Sequence, residues 1–324
     1  MPLTADSVRH TYIQSRLLGA KASRALAWSA VICVVLAVVS CGSGKSSSST
    51  APPASVEAKY VALVVLENAN YADVVNSANA PYLNSLMTQG ALATNYYANV
   101  HPSIGNYFML TTGAMASTDD SYTGTVPPPE MASVLTAAGK SWKVYAEGIP
   151  ASGYTGGDTG VYLKHHNPFA YFTDVQGTAS ANNIVPFAQL ASDAVGTLPA
   201  FSMIVGNIYD VGHNCQPTVT TCTTAIRVQQ ADAWLKSTLP QVLSNPGFAA
   251  SGLLAITFDE SETDNTDGGG QVATVLLGTN VKPGYQATGT YQHQSLLRLM
   301  LEAEGVSTLP GASATAPGMT EVWK

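Results

Sequence analysis

The sequence predicts an α/β protein of three layers, in which a mostly parallel sheet lies between two layers of helices. Apolar, β-branched runs recur along the chain without polar alternation, which is typical of strands buried on both faces. Helical segments separate these runs, as expected for parallel strands that are joined by crossovers. The sequence shows neither an internal repeat nor a second linker, and we therefore expect one folded domain.

The first predicted strand is Tyr60–Leu66, whose sequence YVALVVL is apolar throughout. Further strands are predicted at Trp142–Ala146, Phe201–Val205, Leu253–Phe258 and Val272–Leu277. The predicted helices are Pro81–Met87, Met131–Ala138, Ala231–Leu239 and Ser295–Glu304. Pro81 suits the first turn of its helix, and the glycines that follow three of these helices are stop signals: Gly90, Gly139 and Gly305.

The N-terminal segment has the pattern of an export signal. Four basic residues precede the apolar run Ala25–Val39, and Ser40 and Cys41 follow the run. The run has about 15 residues, whereas a membrane-spanning helix needs roughly 20. Because Val38-Val39-Ser40-Cys41 also resembles a bacterial lipobox, we interpret residues 1–40 as a lipoprotein signal peptide and Cys41 as its lipidation site. Secretion without a lipid and an uncleaved anchor are the alternatives.

The segment after Cys41 is rich in Ser and Pro as far as Ser55, which is typical of a flexible tether. The predicted organisation is therefore a signal peptide at residues 1–40, a tether at 41–58 and a single folded domain at 59–324. It implies an exported protein, either lipid-anchored to the bacterial cell envelope or secreted, whose anchor has the membrane as its partner.

The composition excludes a nucleic-acid-binding surface. Of the 324 residues, 46% are hydrophobic and 11% charged, and the formal net charge is −7. Lys and Arg are not clustered, although nucleic-acid partners require a basic patch. The length is sufficient for an independently stable core. Nothing in the sequence indicates an obligate protein partner.

The cysteines have different contexts. Cys33 lies in the signal segment and Cys41 is the candidate lipidation site, which leaves Cys215 and Cys222. Because export implies an oxidising compartment, we expect a local disulfide between these two residues. A zinc pair is the alternative, although the flanking spacing does not resemble a structural zinc site.

Polar side chains follow the ends of three predicted strands. Glu67 follows the first strand, His213 lies in the segment after Phe201–Val205, and Asp259 and Glu260 follow Leu253–Phe258. Function in parallel sheets collects at these carboxyl ends. Carboxylates beside an apolar sheet need a partner, and a divalent cation can supply one. Oxygen ligands suit Mg²⁺, Ca²⁺ or Mn²⁺, and added imidazoles would admit Zn²⁺ or iron.

Ser103 follows His101-Pro102 and precedes the apolar segment Tyr107–Leu110. Ser is a favoured N-cap residue, so an ordinary helix cap is one interpretation. A Ser at a helix start also lies at the positive end of the helix dipole, which stabilises an alkoxide and anionic groups attached to it. His101 either braces this loop or takes part in its chemistry.

A set of motifs follows one another in a characteristic order. They are Glu67-Asn68, Ala80–Leu86, His101-Pro-Ser103 with Asn106-Tyr107, Lys164-His165, Asp210 with His213, Asp232–Leu235, Phe258–Glu260 and His293. This order resembles the bacterial phosphoesterase family that contains acid phosphatases and phospholipases C, within the alkaline-phosphatase-like superfamily. The resemblance extends from Tyr60 to about Trp323 and is greatest to the short secreted acid phosphatases, including phosphatidylinositol-3-phosphatases.

The resemblance implies a phosphomonoester hydrolase of acid phosphatase type, in which Ser103 attacks phosphorus and forms a phosphoseryl intermediate. Its substrate would be an exported or extracellular phosphate ester, with phosphoinositides as one class. The implied cofactor is a divalent metal ion, with Mg, Ca, Mn, Zn and Fe not distinguished, and residues 59–324 become the catalytic domain. The metal-binding positions carried over are Glu67, Asn68, Ser103, Asp259 and Glu260. Asn106 would donate to a phosphoryl oxygen, and the implied phosphoryl-binding or proton-donating histidines are His165, His166 and His213.

The chain departs from the family pattern at two positions. Gly105 stands where the family usually has Pro, and Asn214 follows His213 where the family often has Asp. The loop 261–270 (SETDNTDGGG) is interpreted as a solvated turn, with a second cation held through Glu262, Asp264 or Asp267 as the alternative. Two alternative functions stay open: a phospholipase C-like phosphodiesterase, and a non-catalytic binding lipoprotein of the same fold.

Overall fold

A computed structural model describes residues 56–324 of the chain. The strands in this range are β1 (Tyr60–Leu66), β2 (Ala91–Tyr97), β3 (Trp142–Ala146), β4 (Ile184–Pro186), β5 (Phe201–Val205), β6 (Gly252–Phe258), β7 (Thr274–Gly278) and β8 (Tyr285–Gln292). The predicted signal peptide, Cys41 and the tether as far as residue 55 lie outside the described residues. Their assignments, and the domain boundary at residue 59, stay predictions.

Within residues 56–324, these eight strands form one sheet in the order β4-β3-β5-β1-β6-β7-β2-β8. Neighbouring strands are parallel except at β7, which is antiparallel to both β6 and β2. The central strands β1, β5 and β6 are buried along their whole length, so both faces of the sheet are covered. The predicted α/β sandwich with a mostly parallel central sheet is therefore confirmed.

The α-helices in the described range are α1 (Tyr71–Val74), α2 (Pro81–Gln89), α3 (Ile104–Thr112), α4 (Met131–Ala137), α5 (Gln189–Val195), α6 (Thr224–Leu243), α7 (Pro246–Ser251) and α8 (His293–Ala303). Helices α1, α2, α5 and α7 all contact α6, whereas α3 packs against α8. Short 3₁₀ helices lie between β3 and β4 and near the C-terminus. Among residues 56–324, none of the helices is both long and apolar enough to cross a bilayer.

Helix ends follow local chemistry where the sequence supplies it. Pro81 occupies the first turn of α2, where its missing N–H costs little. Gly113 ends α3 in the left-handed conformation, with φ 66°. At α4, Glu130 accepts from the backbone N–H groups of Ala132 and Ser133 and so satisfies two donors at the helix start.

The structure corrects several boundaries. The strand predicted at Val272–Leu277 begins two residues later and is the antiparallel member of the sheet. The helix predicted at Ala231–Leu239 is the middle of α6, which begins at Thr224. Strands β2, β4 and β8 were not predicted, because β2 and β8 carry polar residues and β4 has three residues.

The segment between β5 and α6 contains a disulfide between Cys215 and Cys222, whose Cα atoms are 5.6 Å apart. The predicted local disulfide is therefore confirmed, and the zinc pair that was its alternative is excluded, because both thiols are consumed. The disulfide ties together the polar segment that leads from His213 to the first turn of α6 at Thr224.

Candidate active site

The acidic part of the site is built by two neighbouring parallel strands. Leu66 at the end of β1 pairs with Phe258 at the end of β6. This register places Glu67 beside Asp259 and Glu260, and the Asp259 N–H donates to the Leu66 carbonyl at 3.0 Å. All three side chains are at least 95% buried. The sheet therefore brings together carboxylates that are about 190 residues apart in the chain.

Ser103 adds a hydroxyl to these carboxylates. It lies at the N-cap position of α3, but its hydroxyl donates to Glu67 Oε2 at 3.2 Å and is 3.3 Å from Glu260 Oε1. The Ile104 N–H in the first turn donates instead to Asp120 Oδ1, at 2.9 Å. The interpretation of Ser103 as an ordinary cap is therefore wrong, because Asp120 occupies the helix start and the serine hydroxyl faces the acidic cluster.

Asn68 completes a set of oxygen donors. Its φ is 40°, a left-handed conformation that Asn tolerates, and its N–H donates to Asp259 Oδ1 at 3.2 Å. One terminal atom of its side-chain amide lies 3.3 Å from both Asp259 Oδ1 and Glu260 Oε1. As nitrogen this atom donates to both carboxylates, and as oxygen it would share a cation with them.

The charges of the buried carboxylates must be neutralised, either by protons or by a cation. Burial, together with the charge of Asp259, raises the pKa of Glu67 well above its ordinary value. Burial and the charge of Glu260 raise the pKa of Asp259 in the same way, and burial raises that of Glu260 to about 7. Asp259 Oδ2 is buried and lacks a hydrogen-bond partner among the described residues. Carboxylate, amide and hydroxyl oxygens in this arrangement fit a hard divalent cation.

Three imidazoles lie on the other side of Glu67. His165 and His166 belong to a short 3₁₀ helix between β3 and β4, and His213 lies in the segment after β5. One ring nitrogen from each lies within 4.8 Å of the others. His166 Nε2 is 3.2 Å from Glu67 Oε1, so the cluster borders the acidic site. Nδ1 of His213 is 3.1 Å from Oδ1 of the exposed Asn214.

His165 and His166 have ring nitrogens that are free to bind a ligand. Burial lowers the pKa of His165, and burial together with His165 lowers the pKa of His166 well below its ordinary value. Nε2 of His165 and Nδ1 of His166 are buried without hydrogen-bond partners in the described part of the chain. Neutral imidazoles in this arrangement can hydrogen-bond an anionic oxygen or hold a second metal ion.

Asn106 has a different environment from the one predicted. Its side-chain oxygen accepts from the N–H groups of Asn99 and Val100, and its amide nitrogen donates to the Val100 carbonyl at 2.7 Å. The side chain is fully buried. Asn106 therefore holds the loop that precedes Ser103, because its polar atoms are engaged by backbone rather than directed at the acidic cluster. Donation to a phosphoryl oxygen stays a prediction that these contacts do not favour.

Two further histidines support the acidic residues. His101 Nδ1 is 2.6 Å from Glu260 Oε2, and its other ring nitrogen is 3.1 Å from the Asp264 carbonyl oxygen. His293 is fully buried, with Nε2 2.6 Å from the Asp259 carbonyl oxygen and Nδ1 3.1 Å from the Tyr96 hydroxyl. His293 therefore contacts the backbone of a carboxylate residue from behind the site.

The loop 261–270 forms internal hydrogen bonds. Both carboxylate oxygens of Asp264 accept hydrogen bonds within the loop or from Gln271 just beyond it. Glu262 pairs with Arg227 at 2.5 Å and also accepts from the Thr224 hydroxyl. These contacts favour the interpretation as a turn and show that the Glu262 carboxylate is already neutralised by a cationic side chain.

Two residues that contact the site, Tyr107 and Asp120, were given no role from the sequence. The Tyr107 hydroxyl donates to Glu67 Oε1 at 2.5 Å. A sequence signal existed for Tyr107, because it lies one helical turn after Ser103 and so shares its helix face. Asp120 had no such signal, since it comes from a loop beyond the end of α3.

Comparisons with known proteins agree with this architecture. The sequence profile of the Phosphoesterase family matches residues 73–307. A phosphatidylinositol-3-phosphatase of Mycobacterium tuberculosis is 29% identical over 269 residues, which cover 82% of each protein. An acid phosphatase of Aspergillus fumigatus is 27% identical over 260 residues, which cover 76% of this chain and 55% of that protein.

A solved structure supports the fold. A protein of the alkaline phosphatase superfamily from Vibrio parahaemolyticus superposes with a TM-score of 0.56 over 81% of this chain and 70% of that one, at 15% identity. Together with the profile match over most of the described residues, these similarities confirm the resemblance seen in the sequence. The chain belongs to the Phosphoesterase family, and it is a hydrolase of the phosphatase type.

Proposed function

We propose that this protein hydrolyses phosphomonoesters with Ser103 as the nucleophile and with a divalent cation held by Glu67, Asn68, Asp259 and Glu260. The observation that carries the proposal is the position of the Ser103 hydroxyl. It lies 3.2 Å from one buried carboxylate and 3.3 Å from another, while Asp120 satisfies the helix start. A serine hydroxyl that is held among carboxylates can lose its proton to one of them.

Ser103 Oγ attacks phosphorus, and its proton passes to the carboxylate of Glu67 or Glu260. The bond from phosphorus to the alcohol oxygen breaks, and that oxygen takes a proton from His213, the least buried of the three histidines. Water then cleaves the phosphoserine and releases phosphate and free Ser103. When bound, the cation lowers the pKa of the serine hydroxyl and neutralises charge on the transferred group.

The phosphoryl group is bound by the three imidazoles, those of His165, His166 and His213. The unpartnered, buried ring nitrogens of His165 and His166 support this role, because a phosphoryl oxygen would satisfy them, and His213 lies beside them. Tyr107 and His166 both contact Glu67 Oε1 and so position the carboxylate next to the serine. The alternative of a second metal ion at the imidazoles is tested by metal analysis of the purified protein, which would then contain two ions per chain.

The substrate and location are inferred by similarity and from the sequence. The Mycobacterium tuberculosis relative is named for a phosphatidylinositol phosphate, and we propose exported phosphate esters, including phosphoinositides, as substrates. The signal-like segment before Cys41 supports export and a lipid anchor. Labelling of the full chain with a radioactive fatty acid tests the anchor, and Cys41→Ala should abolish the label.

The central experiment measures hydrolysis of phenyl phosphate. Ser103→Ala should lower kcat by at least about a thousandfold, because the covalent route is lost. Chelation should have a comparable effect, and added Mg²⁺, Ca²⁺ or Mn²⁺ should reverse it. Unchanged turnover in Ser103→Ala would exclude the nucleophile. Faster hydrolysis of bis-phenyl phosphate would favour a phosphodiesterase, and no hydrolysis of either ester would favour a binding protein.

A further inference from the structure

A polar cavity of about 470 Å³ opens beside the candidate active site. It is lined by His213, Cys222, Thr223, Thr224, Arg227 and Glu262. His213 also belongs to the cluster of imidazoles, and Glu262 follows Glu260 by two residues. The cavity therefore shares one wall with the site, and the disulfide and the first turn of α6 form the other.

A series of contacts leads from the nucleophile through the imidazoles to this cavity. Ser103 contacts Glu67, Glu67 contacts His166, and the ring of His166 lies 5.8 Å from that of His213, which borders the cavity. In phosphoryl transfer the attacking and leaving oxygens lie roughly in line with phosphorus between them. His213 belongs both to the imidazole cluster and to the cavity wall, so an alcohol whose oxygen takes its proton from His213 would extend towards the cavity.

The walls of the cavity offer hydrogen-bonding groups without a net charge. Arg227 Nη2 donates to Glu262 Oε1 at 2.5 Å, and the Thr224 hydroxyl donates to the other oxygen of that carboxylate. Arg227 Nη1 lies 3.4 Å from the His213 carbonyl oxygen, its acceptor. Because Glu262 compensates the charge of Arg227, a second phosphate would meet a carboxylate as well as a guanidinium.

We propose that this cavity binds the alcohol half of the substrate and selects alcohols that carry several hydroxyl groups. Such an alcohol both donates and accepts hydrogen bonds, which matches the carboxylate, guanidinium and hydroxyl groups of the wall. An aryl group would displace water from this ion pair without offering hydrogen bonds in return, and a site that binds hydroxyls discriminates against such an analogue. The inference rests on the proposed function, since it assigns the leaving group of that reaction.

The test compares kcat/KM for glycerol 2-phosphate with kcat/KM for phenyl phosphate. The wild-type chain should prefer the glycerol ester. Glu262→Gln and Thr224→Val should each lower the ratio of the two values by about tenfold, the change that corresponds to the loss of about 1.4 kcal/mol. Both substitutions preserve side-chain shape, so the fold is expected to persist.

Glu302→Gln is the matched control, because Glu302 pairs with Arg298 at 2.7 Å on α8, outside this cavity. It should leave the ratio unchanged. A ratio that is also unchanged in Glu262→Gln, or a parallel loss for both esters, would overturn the assignment of the cavity. A wild-type chain that hydrolyses neither ester would overturn the proposed function and the subsite together, whereas hydrolysis without preference would remove the subsite alone.

Discussion

Ser103 and Asp120 have different roles at the start of α3. Asp120 accepts from the Ile104 N–H in the first turn, and the Ser103 hydroxyl faces the carboxylates of Glu67 and Glu260. A serine at this position ordinarily satisfies the helix start itself. Asp120 thus acts as a positioning residue, because its hydrogen bond to the Ile104 N–H anchors the backbone next to Ser103.

Asp120→Ala tests this division of tasks. Without the carboxylate, the backbone next to Ser103 loses its anchor and the hydroxyl is held less firmly, so kcat for phenyl phosphate should fall about tenfold, equivalent to about 1.4 kcal/mol of barrier. KM should change little, because the imidazoles that hold the phosphoryl group are untouched. Asp120→Asn retains a side-chain acceptor and should restore most of the activity, whereas the neighbouring exposed Asp119→Ala is the control. Equal kcat values for Asp120→Ala and the wild type would contradict the role.

One buried carboxylate connects the helices α2 and α6. The start of α2 lacks a side-chain cap of its own, since Ala80 precedes Pro81. Asp232 on α6 takes that place and accepts from the N–H groups of Tyr82, at 3.0 Å, and Leu83, at 2.7 Å. A residue 150 positions away thereby satisfies the first turn of α2 and fixes the distance between the helices.

Asp232→Ala should therefore destabilise the folded chain. Two buried donors would lose their acceptor, and the free energy of unfolding should fall by about 2 to 3 kcal/mol. Denaturant unfolding monitored by circular dichroism measures the change. Gln229→Ala, which removes an exposed hydrogen bond to Asn79 from the same helix, should change stability by less than about 0.5 kcal/mol. Similar losses in both variants would show that the carboxylate has no special role.

The elements themselves were predictable where burial dominates. The strands β1, β3, β5 and β6 lie in the middle of the sheet, so their sequences are almost continuously apolar and their bounds were recovered within a residue. By contrast, β8 at the sheet edge alternates buried and exposed residues through YQATGTYQ. Its Gly and polar residues have low strand propensity, and pairing with β2 supplies the stabilisation that the sequence pattern does not show.

Buried acids affect the stability of the whole molecule. Glu304, at the end of α8, is 1% exposed, and its burial raises its pKa to about 8, which Lys140 opposes only in part. The ordinary value of 4.5 applies to the unfolded chain. Between these two values the Glu304 carboxyl binds more protons in the folded state than in the unfolded state, so its contribution to stability is greatest below pH 4.5 and is lost as the pH rises towards 8.

Glu304→Gln removes this dependence at one position. The variant and the wild type should be about equally stable at pH 5, where the wild-type carboxyl is protonated. At pH 8 the variant should be more stable by about 3.5 kcal/mol, because the pKa lies at about 8 instead of 4.5 and each pKa unit corresponds to about 1.4 kcal/mol. Thermal unfolding at both pH values measures the difference, and Glu302→Gln nearby is the control. A stability gap that does not widen with pH would falsify the linkage.

The sequence alone determined the layered fold, the disulfide and the residues that follow the strands of the central sheet. These features depend on local composition, because buried parallel strands are apolar and polar residues stand out at their ends. Tertiary structure decided which of those residues meet: the register of β1 and β6 joins Glu67 to Asp259, and Asp120 anchors the start of α3 next to Ser103. It also paired Glu262 with Arg227, because contacts between distant loops depend on the packing of all the elements between them.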